Sequence, residues 1–288
     1  MKLTNPSIRM KARLNQQDYD EITILKNHCI ENDQVTLKLE LEYKLASANT
    51  NEFNEFMYYD DDLLIGYIGI CQFGGSTLEV NGMVHPSYRR MGVFTKLFDL
   101  VKTESHYRNA ENMLLLSDRN SPSGQAFIKQ LETHYEHSEY EMHLKNAPDK
   151  QPPTTVKLRK ATNADAKEIA RQNAIYFEID EPEVRLPEEE ERHGVEIFLA
   201  EFEGTTIGKV HLETNEGVGA IYGLGVIPEQ RGKGYGRAIL MEAVKKLQEM
   251  QVEDIMLQVA VENKNALTLY KSCGFQVTST MDYFTLEN

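Results

Sequence analysis

Between residues 230 and 237 the chain reads Gln-Arg-Gly-Lys-Gly-Tyr-Gly-Arg, three glycines set among three cations. Apolar residues follow at Ile239, Leu240, Ala243, Val244 and Leu247, a helical spacing, and the run Gly217 to Val226 before it reads as a strand. The glycines therefore sit where a strand ends and a helix opens. Backbone N–H groups crowd together in such a turn, and the unpaired N–H groups and dipole of the helix point at the same place. That is chemistry for a phosphate or pyrophosphate, and Arg231, Lys233 and Arg237 add positive charge. Neither G-x-x-x-x-G-K-[ST] nor G-x-G-x-x-G occurs, which disfavours nucleotide hydrolysis and nicotinamide chemistry. What is left is Arg-x-x-Gly-x-Gly, from Arg231 through Gly234 to Gly236, against the plainer alternative of a tight turn with solvated charges.

The elements around this turn follow from local pattern. On its C-terminal side Asp254 to Val261 is nearly continuously apolar, as suits a strand buried on both faces. A short helix then runs from Asn265 to Cys273, closed by Gly274 at a left-handed cap position, and two final strands are expected near Gln276 to Ser279 and Met281 to Leu286. Upstream, Thr162 caps an amphipathic helix through Tyr176. The runs Val195 to Phe202 and Thr206 to Glu213 flank a Glu203-Gly204-Thr205 hairpin turn. The segment Ala147 to Thr155, with three prolines and no periodicity, reads as a linker. N-terminal to it lie a helix near Gln16 to Ile30, strands at Asp62 to Gln72 and Thr77 to His85, and a helix from about Gly92 to Thr103.

The two sides of the linker match each other. The stretch from Val84 lies over the stretch from Val226, so that Arg89 falls on Arg231 and Gly92 on Gly234. Farther on, Asn120, Ser123 and Phe127 fall on Asn263, Ala266 and Tyr270 at an offset one residue different. Two ordered matches point to a duplicated module. The N-terminal copy departs at two places: Phe94 replaces the last small residue of the turn, and Phe127 stands opposite Tyr270.

On the turn and on the block Asn263 to Phe275, the C-terminal half resembles a GCN5-related N-acetyltransferase (GNAT), whose signature is Q/R-x-x-G-x-G/A between a central strand and a helix. The resemblance implies an α/β (α+β) chain of two tandem GNAT-like domains. Each would be a mixed, mostly antiparallel sheet flanked by helices, with a splayed central parallel strand pair. The expected division is 1–146 for an N-terminal domain that reads as degenerate, 147–155 for the linker, and 156–288 for the catalytic domain.

The resemblance further implies acetyl-CoA as co-substrate, with no metal. Its pantetheine arm would lie along Leu224, Gly225 and Val226, and its pyrophosphate on Arg231, Gly232, Lys233, Gly234, Tyr235, Gly236 and Arg237. Transfer of an acyl group from a thioester to an amine needs a neutral amine and a proton for the departing thiolate. Tyr270 is the candidate acid, the alternative being a tyrosine that merely packs. Asn263 would hold the cofactor arm or cap the following helix, and both roles can coexist. Glu213, Glu216 and His211 are candidate bases with no motif behind them. The run Glu188 to Glu191 would either face a cationic acceptor or lie solvated. Tandem modules of this kind are also similar to mycothiol synthases, in which one half acetylates a cysteinyl amine, though no residue here selects that acceptor.

Composition bounds the rest. A formal net charge of -14 argues against a nucleic-acid partner and weakly favours a cationic acceptor, a small molecule or a peptide amine. No run approaches the roughly 18 apolar residues of a membrane span, and the opening MKLTNPSIRMKARLN lacks a secretory apolar core. No membrane partner and a cytoplasmic location are the expectations. Cys29, Cys71 and Cys273 occupy unrelated contexts and read as free thiols. The reading from a different class is a non-catalytic acyl-CoA sensor, with Tyr270 the residue that separates the two. Oligomeric state does not follow from these residues.

Overall fold

The computed structural model describes residues 2–46, 51–73, 75–146, 156–177, 180, 184–192, 194–215 and 217–287. The expected linker, Ala147 to Thr155, lies outside them. The chain divides into two compact units, one of residues 1–138 with 279–288, the other of residues 139–278.

The first unit runs β1 (Pro6–Lys11), α1 (Gln16–Asp33), α2 (Leu41–Ala46), β2 (Glu55–Asp60), β3 (Leu63–Cys71), β4 (Thr77–Val84), α3 (Val93–Tyr107), β5 (Asn112–Asp118), α4 (Pro122–Ile128) and the start of β6 (His134–Leu144). The second takes the rest of β6, then β7 (Lys157–Lys160), α5 (Ala166–Phe177), α6 (Pro187–Arg192), β8 (Val195–Phe202), β9 (Thr205–Asn215), β10 (Val218–Val226), α7 (Tyr235–Glu249), β11 (Asp254–Ala260), α8 (Lys264–Ser272) and the start of β12 (Phe275–Glu287).

The last strand of each half pairs in the other unit. Residues 139–143 of β6 run antiparallel to β11, and residues 281–287 of β12 run antiparallel to β5. Strand order is thus β1-β2-β3-β4-β5-β12 in the first unit and β7-β8-β9-β10-β11-β6 in the second. This exchange moves the expected domain boundary, because a chain end folds with residues far from it in sequence. It also replaces the two expected final strands by one continuous strand: no turn residue breaks Phe275–Glu287.

In the second unit the helical stripe of α7 is the centre of the core, with Ile239, Leu240, Ala243 and Leu247 fully buried and Val244 nearly so. In the first, Leu97, Phe98 and Val101 of α3 do the same against β2, β3 and β4. Among the described residues each unit has a parallel pair. Thr77–Val80 of β4 lies beside Asn112–Leu115 of β5, and Val218–Ile221 of β10 lies beside Asp254–Leu257 of β11. Past these residues the ladders stop, and in the first unit a cavity lies where the strands part.

All three cysteines are buried and free. In the first unit Asp282 of β12 is buried and accepts from Arg119 Nη2 at 2.7 Å, from Ser138 Oγ at 2.6 Å and from Gln125 Nε2 at 3.3 Å. Removing the carboxylate takes an acceptor from the buried Ser138 hydroxyl and breaks the ion pair with the half-exposed Arg119. Asp282→Ala is expected to lower stability by about 2 kcal/mol, read from the midpoint of urea unfolding.

Candidate active site

At the end of β10 a 3-10 turn (Pro228–Gln230) leads into the glycine cluster. Gly232 and Gly234 have φ of 76° and 84°, a left-handed backbone that glycine adopts without a Cβ penalty. A Cβ on either would point into open space, so the turn has room around it for a ligand. Gly234 is the N-cap of α7, and the first intrahelical bond, Ala238 N–H to the Gly234 carbonyl, leaves the preceding N–H groups facing outward.

Arg231 donates from Nε to the Val226 carbonyl at 3.0 Å, and among the described residues no carboxylate pairs with its guanidinium. Lys233 caps its own turn, through the Glu229 carbonyl at 3.1 Å and Gln230 Oε1 at 2.8 Å. Arg237 instead bonds Ser272 Oγ at 2.6 Å and the Ser272 carbonyl at 3.3 Å, so its charge is committed to the end of α8. Gly236 lies inside the helix, close to Leu269 and Val226. The Tyr235 ring is buried against Phe202, 5.0 Å between centroids, which leaves only its backbone N–H for an anion.

Above the turn, β10 bulges between Tyr222 and Gly225, and its register with β9 resumes at Gly225 opposite Lys209. Leu224, Gly225 and Val226 follow the last β11 pair, where β10 no longer bonds to β11. Close approach dictates two glycines here: a Cβ on Gly225 would collide with the Tyr176 ring, and one on Gly208 with the Gly225 carbonyl.

Lys209 holds the bulge from beneath. It is fully buried, and Nζ donates to the Gly223 carbonyl at 3.1 Å, meets His211 Nε2 at 3.0 Å and lies 5.6 Å from the Tyr176 ring centroid. Burial lowers its pKa to about 8. Burial, and then the lysine charge, lower that of His211 to about 3. A neutral imidazole whose Nε2 already faces an ammonium cannot take up a proton from an amine, so the structure removes His211 as a base.

Glu213 sits on the same face of β9, opposite Ala220. Glu216 lies outside the described residues. The acidic run of α6 is engaged: Glu188 accepts from Asn163 Nδ2 at 3.0 Å and Glu191 from Lys160 at 2.6 Å.

Tyr270 projects from α8 into the core, 9% exposed, its ring 6.3 Å from that of Phe275. Among the described residues its hydroxyl has no hydrogen-bond partner, and burial pushes its pKa up to about 12, which keeps it protonated. Asn263 caps α8, its Oδ1 accepting from Ala266 N–H at 3.1 Å. Sequence reasoning missed Lys209 and Tyr176. A lysine at an inward position of the apolar run Ile207-Gly-Lys-Val-His-Leu212 was the available signal for the first.

Residues 164–275 match the sequence model of the acetyltransferase (GNAT) family, and the match spans β10, the glycine turn, α7, β11 and α8. Residues 164–275 are a GNAT-family acetyltransferase module. Among curated relatives, a mycothiol acetyltransferase of Thermobispora bispora is 39% identical over 85 residues, which is 27% of this chain and 29% of that protein. The mycothiol acetyltransferase of Propionibacterium freudenreichii subsp. shermanii is 27% identical over 296 residues, 96% of this chain and 90% of its own. Among solved structures, a GCN5-related N-acetyltransferase from Sphaerobacter thermophilus aligns at TM-score 0.76 with 19% identity, over 97% of this chain and 95% of that one. A tandem GNAT protein from the clavulanic acid biosynthesis pathway aligns at 0.74 with 14% identity, over 98% of both. These likenesses in fold extend over 97% and 98% of this chain.

Gly92 and Gly234 have the same left-handed backbone, φ 78° and 84°, so a glutamate costs each turn similar strain. Gly234→Glu is expected to weaken acetyl-CoA binding by roughly 100-fold or more, about 2.7 kcal/mol, while Gly92→Glu leaves it nearly unchanged; calorimetric titration of both variants checks this.

Folding lowers the Lys209 pKa from 10.5 to about 8, so between those values the unfolded chain holds more protons. This group therefore makes wild-type stability rise with pH across that window and adds no slope below it. Urea midpoints of wild type and Lys209→Met at about pH 7 and about pH 10 should show the wild type gaining on the variant.

Proposed function

We propose that the C-terminal unit transfers an acetyl group from acetyl-CoA to a primary amine of a small molecule, in one direct step. Support for the donor comes from the turn: outward N–H groups, glycines with open space beside them, and an Arg231 guanidinium without a carboxylate partner. These fit a pyrophosphate, and the β10 edge at Leu224, Gly225 and Val226 suits the amides of an extended arm.

The reacting bond would lie where β10 and β11 part. The neutral amine attacks the thioester carbonyl, the C–S bond breaks, and the amine proton passes to water or a carboxylate such as Glu213. The observation that carries the catalytic reading is Tyr270, whose hydroxyl is protonated and bonded to no protein group among the described residues. It donates a hydrogen bond to the sulfur as charge develops there, and burial of the thiolate raises the thiol pKa toward that of the phenol. A sensor that only bound acetyl-CoA would have no use for such a group.

The acceptor is read from the chain's acidity and its relatives. A net charge of -14 attracts cationic amines. The relatives named mycothiol acetyltransferase put cysteinyl amines of small thiols first in the panel, ahead of polyamines, amino acids and aminoglycosides.

Thiol release from acetyl-CoA across that panel, with acceptor-free controls, tests the activity. Tyr270→Phe is expected to keep acetyl-CoA affinity within about twofold and to lower turnover by about 100-fold or more. Unchanged turnover would take Tyr270 out of the reaction.

A further inference from the structure

The first unit carries a cavity of about 490 Å³ in the cleft between β4 and β5, the place where the second unit has its cradle. Its chemistry differs. Arg89 donates from Nε to the Val84 carbonyl at 3.1 Å, as Arg231 does to Val226, but its two terminal nitrogens then close on Asp33, at 2.8 and 2.5 Å. This bidentate pair fills the fork that would take a phosphate and places a carboxylate where the anion would sit.

Other polar groups of the wall are paired within the protein as well. Asp118 accepts from the backbone N–H groups of Thr36 at 2.8 Å and Asn120 at 2.7 Å. Gly82 N–H is taken by Asn81 Oδ1 at 2.8 Å. Asp33 and Arg89 cancel, Asp118 and the exposed Arg90 offset each other, and the wall carries no net charge.

Most of what faces the space is apolar. Phe94, which replaces the small residue of the turn, does not block the cleft; its ring packs edge-on against Phe127, 4.6 Å between centroids, and beside Phe98 at 6.5 Å. Val80, Met83 and Leu115 complete the lining. Phe127 stands where Tyr270 stands and offers no hydroxyl. A pocket whose wall carries no net charge and whose surface is mostly aromatic and aliphatic gains by burying apolar area, and its Arg89 fork is already closed on Asp33 rather than open to a charged ligand.

We propose that this cavity is a second binding site, for an uncharged apolar small molecule such as an acyl chain or an aromatic ring, and not for a phosphorylated cofactor. It stands apart from the acceptor reading, since every residue that forms it lies in the first unit.

The test uses full-length protein labelled with 13C-methyl methionine, the Met83 signal assigned by Met83→Leu, and 1-octanol as the probe. Octanol is expected to shift Met83 saturably while Met241, in the core of the second unit, stays still. Acetyl-CoA at a concentration that saturates the wild-type chain should leave Met83 unmoved. Phe127→Glu, checked for folding by its thermal melt, should weaken octanol at least tenfold. An unmoved or unsaturable Met83, equal shifts at Met83 and Met241, unchanged octanol affinity in Phe127→Glu, or a Met83 shift driven by acetyl-CoA in Gly234→Glu would each overturn the proposal.

Discussion

The second unit depends on two parallel strands ceasing to pair. After Ile221 opposite Leu257, β10 bulges, and the bulge exposes a carbonyl, that of Gly223, which the β11 ladder no longer serves. A buried carbonyl without a donor is costly. Lys209 supplies the donor from the neighbouring strand, and the cost moves to the lysine, whose pKa falls because burial strips water from its charge. Around that one contact the other features fall into place: glycines at 208 and 225 where backbone and the Tyr176 ring press together, and an open strand edge leading down to the glycine turn.

The two units show how one backbone device can be given opposite chemistry by single partners. Both arginines after the parallel strand use Nε on the last strand carbonyl, and both helices start from a left-handed glycine. One carboxylate, Asp33 at the end of α1, decides what the guanidinium can do next. Where it is present, the site is charge-neutral and the floor is phenylalanine. Where, among the described residues, no carboxylate is paired with the arginine, the turn is the cradle we propose.

Much of this was legible from residue types. The glycine turn, the α7 stripe and the internal match of Arg89 with Arg231 follow from spacing, because local backbone geometry and helical periodicity are local properties. The pairing of β12 with β5 was not legible: a strand written at one end of the chain joins a sheet written at the other, and nothing local distinguishes exchange from a hairpin. Arg237 and Tyr235 illustrate the same limit at the site. Both stand in the motif, yet one side chain reaches Ser272 and the other the core, choices made by tertiary packing. His211 looked like a base until burial and Lys209 removed its affinity for a proton.

The claim on which the rest hangs is that only the second unit presents a phosphate cradle. Calorimetric titration of the wild-type chain with acetyl-CoA measures it most directly, through the number of sites per chain. The account requires one; two sites of comparable affinity would contradict it.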